Sequence, residues 1–255
     1  MLKTNLEIIE GSLLGGRVRY AQPGSGFRSG IEPVLLAATI PASSGQIVIE
    51  GGCGAGAGLL CLQARVPGLM LYGVEKDPCL AAVAEDNAAA NGSPAQIFAA
   101  DLLQTPLPTA DHAFANPPYH RTGTLPADPS LRAAKHAERG TIATWVRALA
   151  APLRRLGTLT LIVAASAVPE TMDSMAQADC PATALLPLWP KTGRSAKLVI
   201  VRGVRGGLMP FRVLPGLVLH NDSSGFTPQA EAVLREGANL PMCAPGRFPG
   251  RFESM

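Results

Sequence analysis

The segment that decides the fold reads Gln46-Ile47-Val48-Ile49-Glu50-Gly51-Gly52-Cys53-Gly54-Ala55-Gly56. Its first half is a short apolar run rich in β-branched residues, which is typical of a buried strand. Its second half carries alternating glycines, which allow a tight turn and let a ligand approach the backbone closely. The spacing is neither the Gly-x-Gly-x-x-Gly of a dinucleotide-binding loop nor a P-loop, because no Gly-Lys-Ser/Thr follows. The segment therefore predicts a strand and a turn that is either structural or ligand-binding.

Strand and helix patterns alternate along the rest of the chain. Strands are predicted at 46–50, 70–75, 95–99, 112–115, 158–163, 183–188 and 197–201. Helices are predicted at 29–39, through 59–62, and at 78–91, 141–155 and 169–178. This alternation predicts an α/β fold with a doubly wound, mostly parallel sheet. The residues before the first helix, with a strand pattern at 17–20, predict a small N-terminal hairpin or flap.

The composition fits this architecture and argues against several classes of protein. The chain has 255 residues, of which 47% are hydrophobic and 16% charged, enough for one large domain, alone or with a small appendage. The five cysteines are scattered, so we expect neither a disulfide framework nor a zinc site. This pattern fits a protein of the reducing cytoplasm. No apolar run reaches the roughly 18–20 residues that span a membrane. The net charge of +3 permits binding to nucleic acid without requiring it.

Two acidic residues follow the next two predicted strands. Glu75 ends the second strand, about 20 residues beyond the glycine turn, where a carboxylate can accept hydrogen bonds from ribose hydroxyls. Asp101 follows the third strand, where an acceptor can hold an adenine amino group. Each also has a structural interpretation, as a solvated loop residue or a turn cap. Because ligands of such sheets bind outside the carboxyl ends of the strands, we expect three segments that follow strands to converge there, namely Glu50–Gly56, Glu75 and Asn116–Tyr119.

Asn116-Pro117-Pro118-Tyr119 ends the fourth predicted strand and is the most specific motif in the chain. An exocyclic amine on adenine attacks poorly, because its lone pair is delocalised into the ring. Acceptors aimed at both N–H bonds favour a pyramidal, nucleophilic nitrogen, and the Asn116 side chain and the Pro117 carbonyl can provide them. The prolines hold the backbone rigid, and Tyr119 can stack on the base. The motif predicts chemistry on a planar nitrogen; the alternative is a proline-rich strand exit.

The glycine turn resembles the acidic-x-Gly-x-Gly-x-Gly motif of class I S-adenosylmethionine-dependent methyltransferases, with Glu50 where that family usually has Asp. From about Leu13 to Leu240 the chain is most similar to bacterial tRNA(valine) adenine-37 N6-methyltransferases. The segments at 26–36 and 217–228 resemble the flanks of that family. The resemblance implies a Rossmann-like sheet of seven strands, with 1–30 as an N-terminal flap, 31–240 as the methyltransferase domain and 241–255 as a tail.

The same resemblance implies the cofactor, the substrate and the site. It implies S-adenosylmethionine as methyl donor, S-adenosylhomocysteine as product, a tRNA partner, a cytoplasmic location, no membrane and no metal. The implied cofactor-binding residues are Glu50, Gly52, Cys53, Gly54, Gly56, Glu75, Lys76, Asp101, Leu102 and Asn116. The implied catalytic residues are Asn116, Pro117 and Tyr119, and the implied substrate-binding residues are Arg28, Pro118 and Arg121.

Other functions share part of these signals. Release-factor glutamine methyltransferases carry the same motif, but with a helical N-terminal domain for which we expect no room here. DNA adenine methyltransferases usually carry a target-recognition domain, which is also not expected. A small-molecule O-methyltransferase has no use for the motif, and a non-catalytic, cofactor-binding assembly partner would not need Asn116 and Tyr119 intact.

Binding to RNA would require a phosphate track of basic side chains on one face. The candidate cations are Arg17, Arg19, Arg28, Arg121, Arg132, Lys135, Arg139, Lys191, Arg194, Lys197, Arg247 and Arg251. If several of them share the face around Tyr119, the chain can hold RNA by itself; if they scatter, it needs a partner.

Overall fold

The computed structural model describes residues 7–24, 29–118, 142–223 and 225–242. Within these ranges an antiparallel hairpin precedes a large central sheet. The strands are β1 (Ile8–Leu13), β2 (Val18–Pro23), β3 (Ile47–Gly51), β4 (Met70–Glu75), β5 (Gln96–Ala99), β6 (Ala110–Ala115), β7 (Leu153–Ala164), β8 (Ala182–Trp189), β9 (Leu198–Val204), β10 (Arg212–Val213) and β11 (Leu217–Val218).

Helices cover both faces of this sheet. They are α1 (Glu32–Thr39), α2 (Ala57–Arg65), α3 (Pro78–Ala90), α4 (Ile142–Ala150), α5 (Val168–Gln177) and α6 (Pro228–Glu236). Local chemistry sets their ends: the Asp77 carboxylate accepts the Cys79 N–H at 2.8 Å, and Pro78 starts α3. No helix in the described ranges is long and apolar enough to cross a membrane.

The order of the strands confirms the doubly wound α/β fold. Seven strands run in the order β5-β4-β3-β6-β7-β9-β8, and only β9 is antiparallel to its neighbours. The two-residue strands β10 and β11 pair with β8, an addition that the sequence analysis did not predict. Such short segments carry too little apolar alternation to be recognised as strands.

The sheet separates two buried clusters. On one face Leu35 and Leu62 pack with Phe114 of β6, and on the other Leu149 and Met175 pack with strand residues of β3, β6 and β7. The middle strands are therefore covered on both sides, which explains why apolar residues follow one another without alternation in Ile47–Ile49 of β3 and Leu161–Val163 of β7.

One predicted boundary was wrong. The helix expected to reach residue 155 ends at Ala150, and β7 begins at Leu153 instead of 158. Pro152 explains the difference, because a proline disfavours helical geometry in the residue before it. Leu153 matches the helical spacing but belongs to the strand, and residues 154–156 are exposed at its start.

The N-terminal hairpin is attached to α3 by two asparagine side chains. The Asn87 amide accepts the Ala21 N–H at 2.8 Å and donates to the Ala21 carbonyl at 2.8 Å. One turn later, the Asn91 amide accepts the Arg19 N–H at 2.9 Å and donates to its carbonyl at 2.7 Å. Tyr20, between them, is buried in the main core cluster. The two amides thus pair with the outer edge of β2 as a neighbouring strand would.

A buried histidine closes the opposite, amino-terminal edge of the sheet. The His112 ring lies between the Thr158 hydroxyl, 2.8 Å from Nδ1, and the Gln46 side-chain oxygen, 3.1 Å from Nε2. Since the Gln46 oxygen only accepts, Nε2 carries the hydrogen of the neutral ring, and Nδ1 accepts from Thr158. Burial lowers the pKa of His112 to about 4, and the positive charge of Arg202 acts in the same direction.

This shift predicts an acid-sensitive fold. The unfolded chain binds a proton at His112 below about pH 6.5, whereas the folded protein resists protonation until about pH 4. The free energy of unfolding is therefore not reduced by His112 above about pH 6.5. It decreases as the pH falls towards 4, because only the unfolded chain binds the proton. The loss is up to about 3 kcal/mol. Urea unfolding at a series of pH values should give a shallower decline for His112→Gln than for the wild type; identical declines would contradict the assignment.

Candidate active site

Three strand ends meet side by side at the carboxyl edge of the sheet. Gly51 at the end of β3 pairs with Val74 of β4 on one side and with Ala115 of β6 on the other. The residues that follow, Gly52, Glu75 and Asn116, therefore leave neighbouring strands at the same level. Adjacent strands lie about 4.8 Å apart. The predicted convergence of the glycine turn, the acidic residue and the proline motif is confirmed.

The glycine turn depends on left-handed backbone conformations. Gly52, Gly54 and Gly56 have φ values of 63°, 55° and 86°, which L side chains rarely adopt. The turn is fixed to the next strand, because the N–H groups of Gly52 and Cys53 both donate to the Val74 carbonyl, at 2.7 and 3.1 Å. The Cys53 side chain is buried, and burial raises the pKa of its thiol well above the usual range. Cys53 therefore shapes the turn as an apolar residue.

Glu75 connects the glycine turn to the start of α3. One carboxylate oxygen accepts the Gly54 N–H at 2.8 Å, and the other accepts the Asp77 N–H at 2.9 Å. The residue is half-buried at the end of β4. A carboxylate has about four acceptor positions, so two remain for hydroxyl groups of a ligand. The structure thus fixes the orientation of Glu75 while leaving acceptor capacity at the edge of the sheet.

Glu50 lies deeper than the other residues of the motif. Its side chain is buried and accepts the Leu59 N–H of α2 at 3.0 Å. It fills the space beside Gly58, where a Cβ atom would clash with the carboxylate. Burial raises the pKa of Glu50 well above its usual value, and the charge of Glu75 adds to the effect. This carboxyl group holds the first turn of α2 against the strand. The described contacts of Glu50 are therefore made inside the protein.

The predicted adenine-binding residues lie beyond Glu75 on the same edge. Asp101 accepts the Leu103 N–H at 3.0 Å and pairs with Lys76 at 3.1 Å. These contacts lower the pKa of the Asp101 carboxyl, the backbone hydrogen bond first and then Lys76. Leu102 is buried and packs against Gly51. Asp101 is therefore a charged acceptor on the rim, and Leu102 an apolar surface directly beside the glycine turn.

The proline motif begins where β6 ends. Asn116 is half-buried, Pro117 is buried and Pro118 is exposed. The structure places the first two residues one strand from the glycine turn. Tyr119, Arg28 and Arg121, also predicted to belong to the site, lie outside the described residues.

Two site residues were missed by the sequence analysis. Trp145 of α4 lies against Gly52, so close that a Cβ atom there would be 2.7 Å from the indole ring. Asn87 donates to the Ala55 carbonyl of the glycine turn at 2.9 Å, besides holding the hairpin. Asn87 and Asn91, four residues apart in an alanine-rich helix, are the signal that could have revealed this contact, because they share one helix face.

The described cations do not all remain available for a ligand. The Arg17 guanidinium donates to the Glu236 and Ala64 carbonyls, at 2.6 and 2.9 Å, and so ties the hairpin to two helix ends. Arg19 is exposed, and Lys191, Arg194 and Lys197 lie in the loop between β8 and β9. In the described part of the chain, no three His, Cys, Asp or Glu side chains are grouped to hold a metal ion.

Comparison with known proteins identifies the family. Residues 31–172, more than half of the chain, match the methyltransferase small domain. The chain belongs to this family.

Relatives and solved structures agree with this family. Ribosomal RNA small subunit methyltransferase C of Shewanella pealeana is 37% identical over 86 residues, which are 34% of this chain and 25% of that protein. The match thus spans only a quarter of the relative's length. A predicted O-methyltransferase from Agrobacterium tumefaciens superposes with a TM-score of 0.66 at 21% identity, over 82% of this chain and 98% of that one.

A second structure is more distant. Geranyl diphosphate C-methyltransferase of Streptomyces coelicolor, in a complex with S-adenosyl-L-homocysteine, has a TM-score of 0.53 at 13% identity, over 68% of this chain and 76% of that one. Both structural likenesses confirm the Rossmann-like class I methyltransferase fold.

The packing of Trp145 on the glycine turn yields a stability prediction. Gly52→Ala should destabilise the protein by strain at positive φ and by the clash with Trp145, together about 2–4 kcal/mol. Gly92→Ala is the matched control, because Gly92 has a similar φ of 59° and nothing lies within 4 Å of its added Cβ. Thermal unfolding should show a larger loss at Gly52 than at Gly92, and Trp145→Leu should recover part of the difference. Equal losses of thermal stability in Gly52→Ala and Gly92→Ala would contradict the contact between Trp145 and the glycine turn.

Proposed function

We propose that this protein transfers a methyl group from S-adenosylmethionine to N6 of an adenine in RNA, in the anticodon loop of a tRNA. The observation that carries the proposal is the position of Asn116 and Pro117, which leave β6 directly beside the glycine turn on β3. A nitrogen held by these two residues lies next to a methyl donor bound over the turn.

The residues at the edge suit such a donor. The methyltransferase family and the class I fold support S-adenosylmethionine, which supplies a methyl group activated by a positively charged sulfur. Gly52, Gly54 and Gly56 leave three backbone positions of the turn without side chains, and the side chains of Cys53 and Ala55 between them are buried. Glu75 accepts from the ribose hydroxyls, Asp101 accepts from the adenine amino group, and Leu102 provides an apolar surface for the base.

Asn116 and Pro117 act on the acceptor nitrogen. The Asn116 side-chain oxygen and the Pro117 carbonyl accept hydrogen bonds from the two N–H groups of the amine. These contacts strengthen as positive charge develops on the nitrogen, so they stabilise the transition state more than the ground state. The nitrogen gains the methyl group as the carbon–sulfur bond breaks, and one amine proton leaves to water. Tyr119 stacks on the base and holds the nitrogen in line.

An RNA substrate agrees with the family comparison. The relative from Shewanella pealeana is named for the methylation of ribosomal RNA, and its likeness to this chain favours RNA over small molecules. Single-stranded loops present unstacked bases that enter a pocket without melting a duplex. An adenine in a single-stranded loop is therefore the substrate that this edge of the sheet can bind without an additional domain to melt a duplex. A protein glutamine, whose side-chain nitrogen is also planar, is the second candidate because the same two acceptors would fit it.

The cofactor assignment predicts a specific loss of affinity. Glu75→Ala should weaken binding of S-adenosylhomocysteine by about one to two orders of magnitude, since a hydrogen bond to a charged group contributes roughly 1.5–3 kcal/mol. Glu75→Gln should lose less, because its amide oxygen still accepts the Gly54 N–H. Glu85→Ala, which removes an exposed carboxylate from α3, is the matched control. Calorimetry that finds wild-type affinity in Glu75→Ala would exclude a role in binding the ribose.

The catalytic assignment predicts a separation of turnover from cofactor binding. Asn116→Ala should lower kcat by about 100-fold or more, the usual effect of removing one transition-state hydrogen-bonding group. Affinity for S-adenosylhomocysteine should stay within about threefold of the wild type, because the proposed contacts go to the acceptor nitrogen. Single-turnover methylation and calorimetry measure the two quantities; equal losses in both would make Asn116 a structural residue.

The substrate is tested by following the methyl group. The protein is incubated with methyl-labelled cofactor and, separately, with total tRNA from a strain lacking its gene, with ribosomal RNA from that strain, and with release factors. Nucleosides and amino acids are then separated by mass spectrometry. Label in N6-methyladenosine from tRNA supports the full proposal, and label in ribosomal adenine moves the target while keeping the chemistry. Label in glutamine, or in no macromolecule, overturns the RNA assignment but not the fold.

A further inference from the structure

A basic loop lies on the same edge of the sheet as the candidate active site. Ala164 of β7 and Leu188 of β8 both pair with Leu198 of β9, so the loop at 190–197 starts and ends at this carboxyl edge. The Ala165 N–H also donates to the Lys197 carbonyl at 2.9 Å, which fixes the return of the loop beside β7. From β6, which carries Asn116, to β8 there are three strand spacings, or about 14 Å.

The loop borders an open concavity of about 460 Å³ lined by Trp189, Lys191, Arg194, Ser195 and Val218 among others. Trp189 is half-buried, and its indole N–H donates to the Pro215 carbonyl at 3.1 Å. Gly216 packs against the edge of the same ring, and a Cβ atom there would clash with it. The Trp189 ring is therefore held in one orientation at the concavity, before any ligand binds.

The concavity carries uncompensated positive charge. Lys191 and Arg194 line it: among the described residues Lys191 donates to the backbone carbonyl of Asp222, at 3.3 Å, and Arg194 is exposed. Lys197, also exposed, ends the same loop. None of these three cations belongs to a salt bridge among the described residues, whereas Lys76, Arg154, Arg205 and Arg235 each face a carboxylate. An oriented aromatic ring beside free cations is the combination that binds a base and its phosphate in single-stranded nucleic acid.

We propose that this concavity is a second nucleotide subsite, which holds the RNA strand about four stacked nucleotides from the methylated base. The base of that nucleotide stacks on Trp189, and Lys191 and Arg194 contact its phosphates. The distance follows from the three strand spacings and an axial rise of about 3.4 Å per stacked nucleotide. This inference rests on the proposed RNA substrate. It adds cations that face no carboxylate among the described residues to a site where Lys76 is paired with Asp101.

The test compares two double variants with equal loss of charge. Lys191→Gln/Arg194→Gln removes two cations from the concavity. Arg155→Gln/Arg212→Gln removes two exposed arginines, from the amino-terminal start of β7 and from β10, away from the carboxyl edge. Each protein is assayed with a synthetic RNA stem-loop bearing an unpaired adenine, and fluorescence anisotropy gives the Kd at several salt concentrations.

The subsite double variant should raise the KM for the stem-loop by about 10-fold or more, with kcat within about twofold of the wild type. Its salt dependence should be shallower by about 1.4 in the slope of log K against log salt, which corresponds to two lost phosphate contacts. The control double variant should change both quantities much less. Trp189→Ala should weaken RNA binding by about 5- to 100-fold and Trp189→Phe by less, because the smaller ring still stacks.

The affinity for S-adenosylhomocysteine is the control for correct folding, and it should be the same in all these variants. If the wild type methylates the stem-loop and the subsite and control variants behave alike, the subsite is wrong while the proposed function stands. If the wild type methylates a protein and binds no RNA, the proposed function fails and the subsite with it. If an acidic peptide changes the fluorescence of Trp189 and the RNA stem-loop does not, the concavity is a protein-docking surface and the nucleotide subsite is overturned.

Discussion

The parallel pairing of β3 with both β4 and β6 is the constraint on which the rest of the structure depends. Because Gly51 faces Val74 and Ala115 in one row, the glycine turn, Glu75 and Asn116 emerge at one level. A shift of one residue in either pairing would turn every side chain of a strand to the opposite face. Burial on both faces of the sheet prevents such a shift. The packing of the core thus fixes the relative positions of the three strand ends, and the loops that follow these strands add the contacts of individual side chains.

Much of this fold is predictable from the sequence, because the middle strands have largely apolar centres and most of them are separated by helical patterns. The strand at 70–75 and the helix after Pro78 follow their patterns closely. The failures are local. Leu153 continues the helical spacing of α4, yet Pro152 ends the helix, so a backbone restriction prevails over side-chain periodicity. The strands β10 and β11 exist only because β8 offers them an edge, a tertiary cause that no local pattern encodes.

The candidate site was predicted unevenly for a similar reason. The position of Glu75 follows from the topology of a doubly wound sheet, and the structure adds that both of its oxygens already hold backbone N–H groups. Glu50 belongs to the same motif, but its contact is with Leu59 inside the protein. Trp145 reaches the glycine turn from a helix nearly a hundred residues further along the chain. Sequence motifs identify residues that share a turn; they do not reveal packing between distant elements.

The asparagine pair, Asn87 within α3 and Asn91 at its carboxyl end, also covers a strand edge on which another chain could otherwise build. An unpaired strand edge is a template on which another chain can add a strand, and proteins cover or interrupt such edges. Here the outward N–H and carbonyl groups of Arg19 and Ala21 are occupied by Asn87 and Asn91. A helix face therefore seals the margin of a two-stranded ribbon that would be marginal alone. Loss of either amide would uncover backbone along this margin, and loss of Asn87 would also leave the Ala55 carbonyl of the glycine turn without its donor. Protection of the strand edge and the shape of that turn therefore depend on one side chain, Asn87.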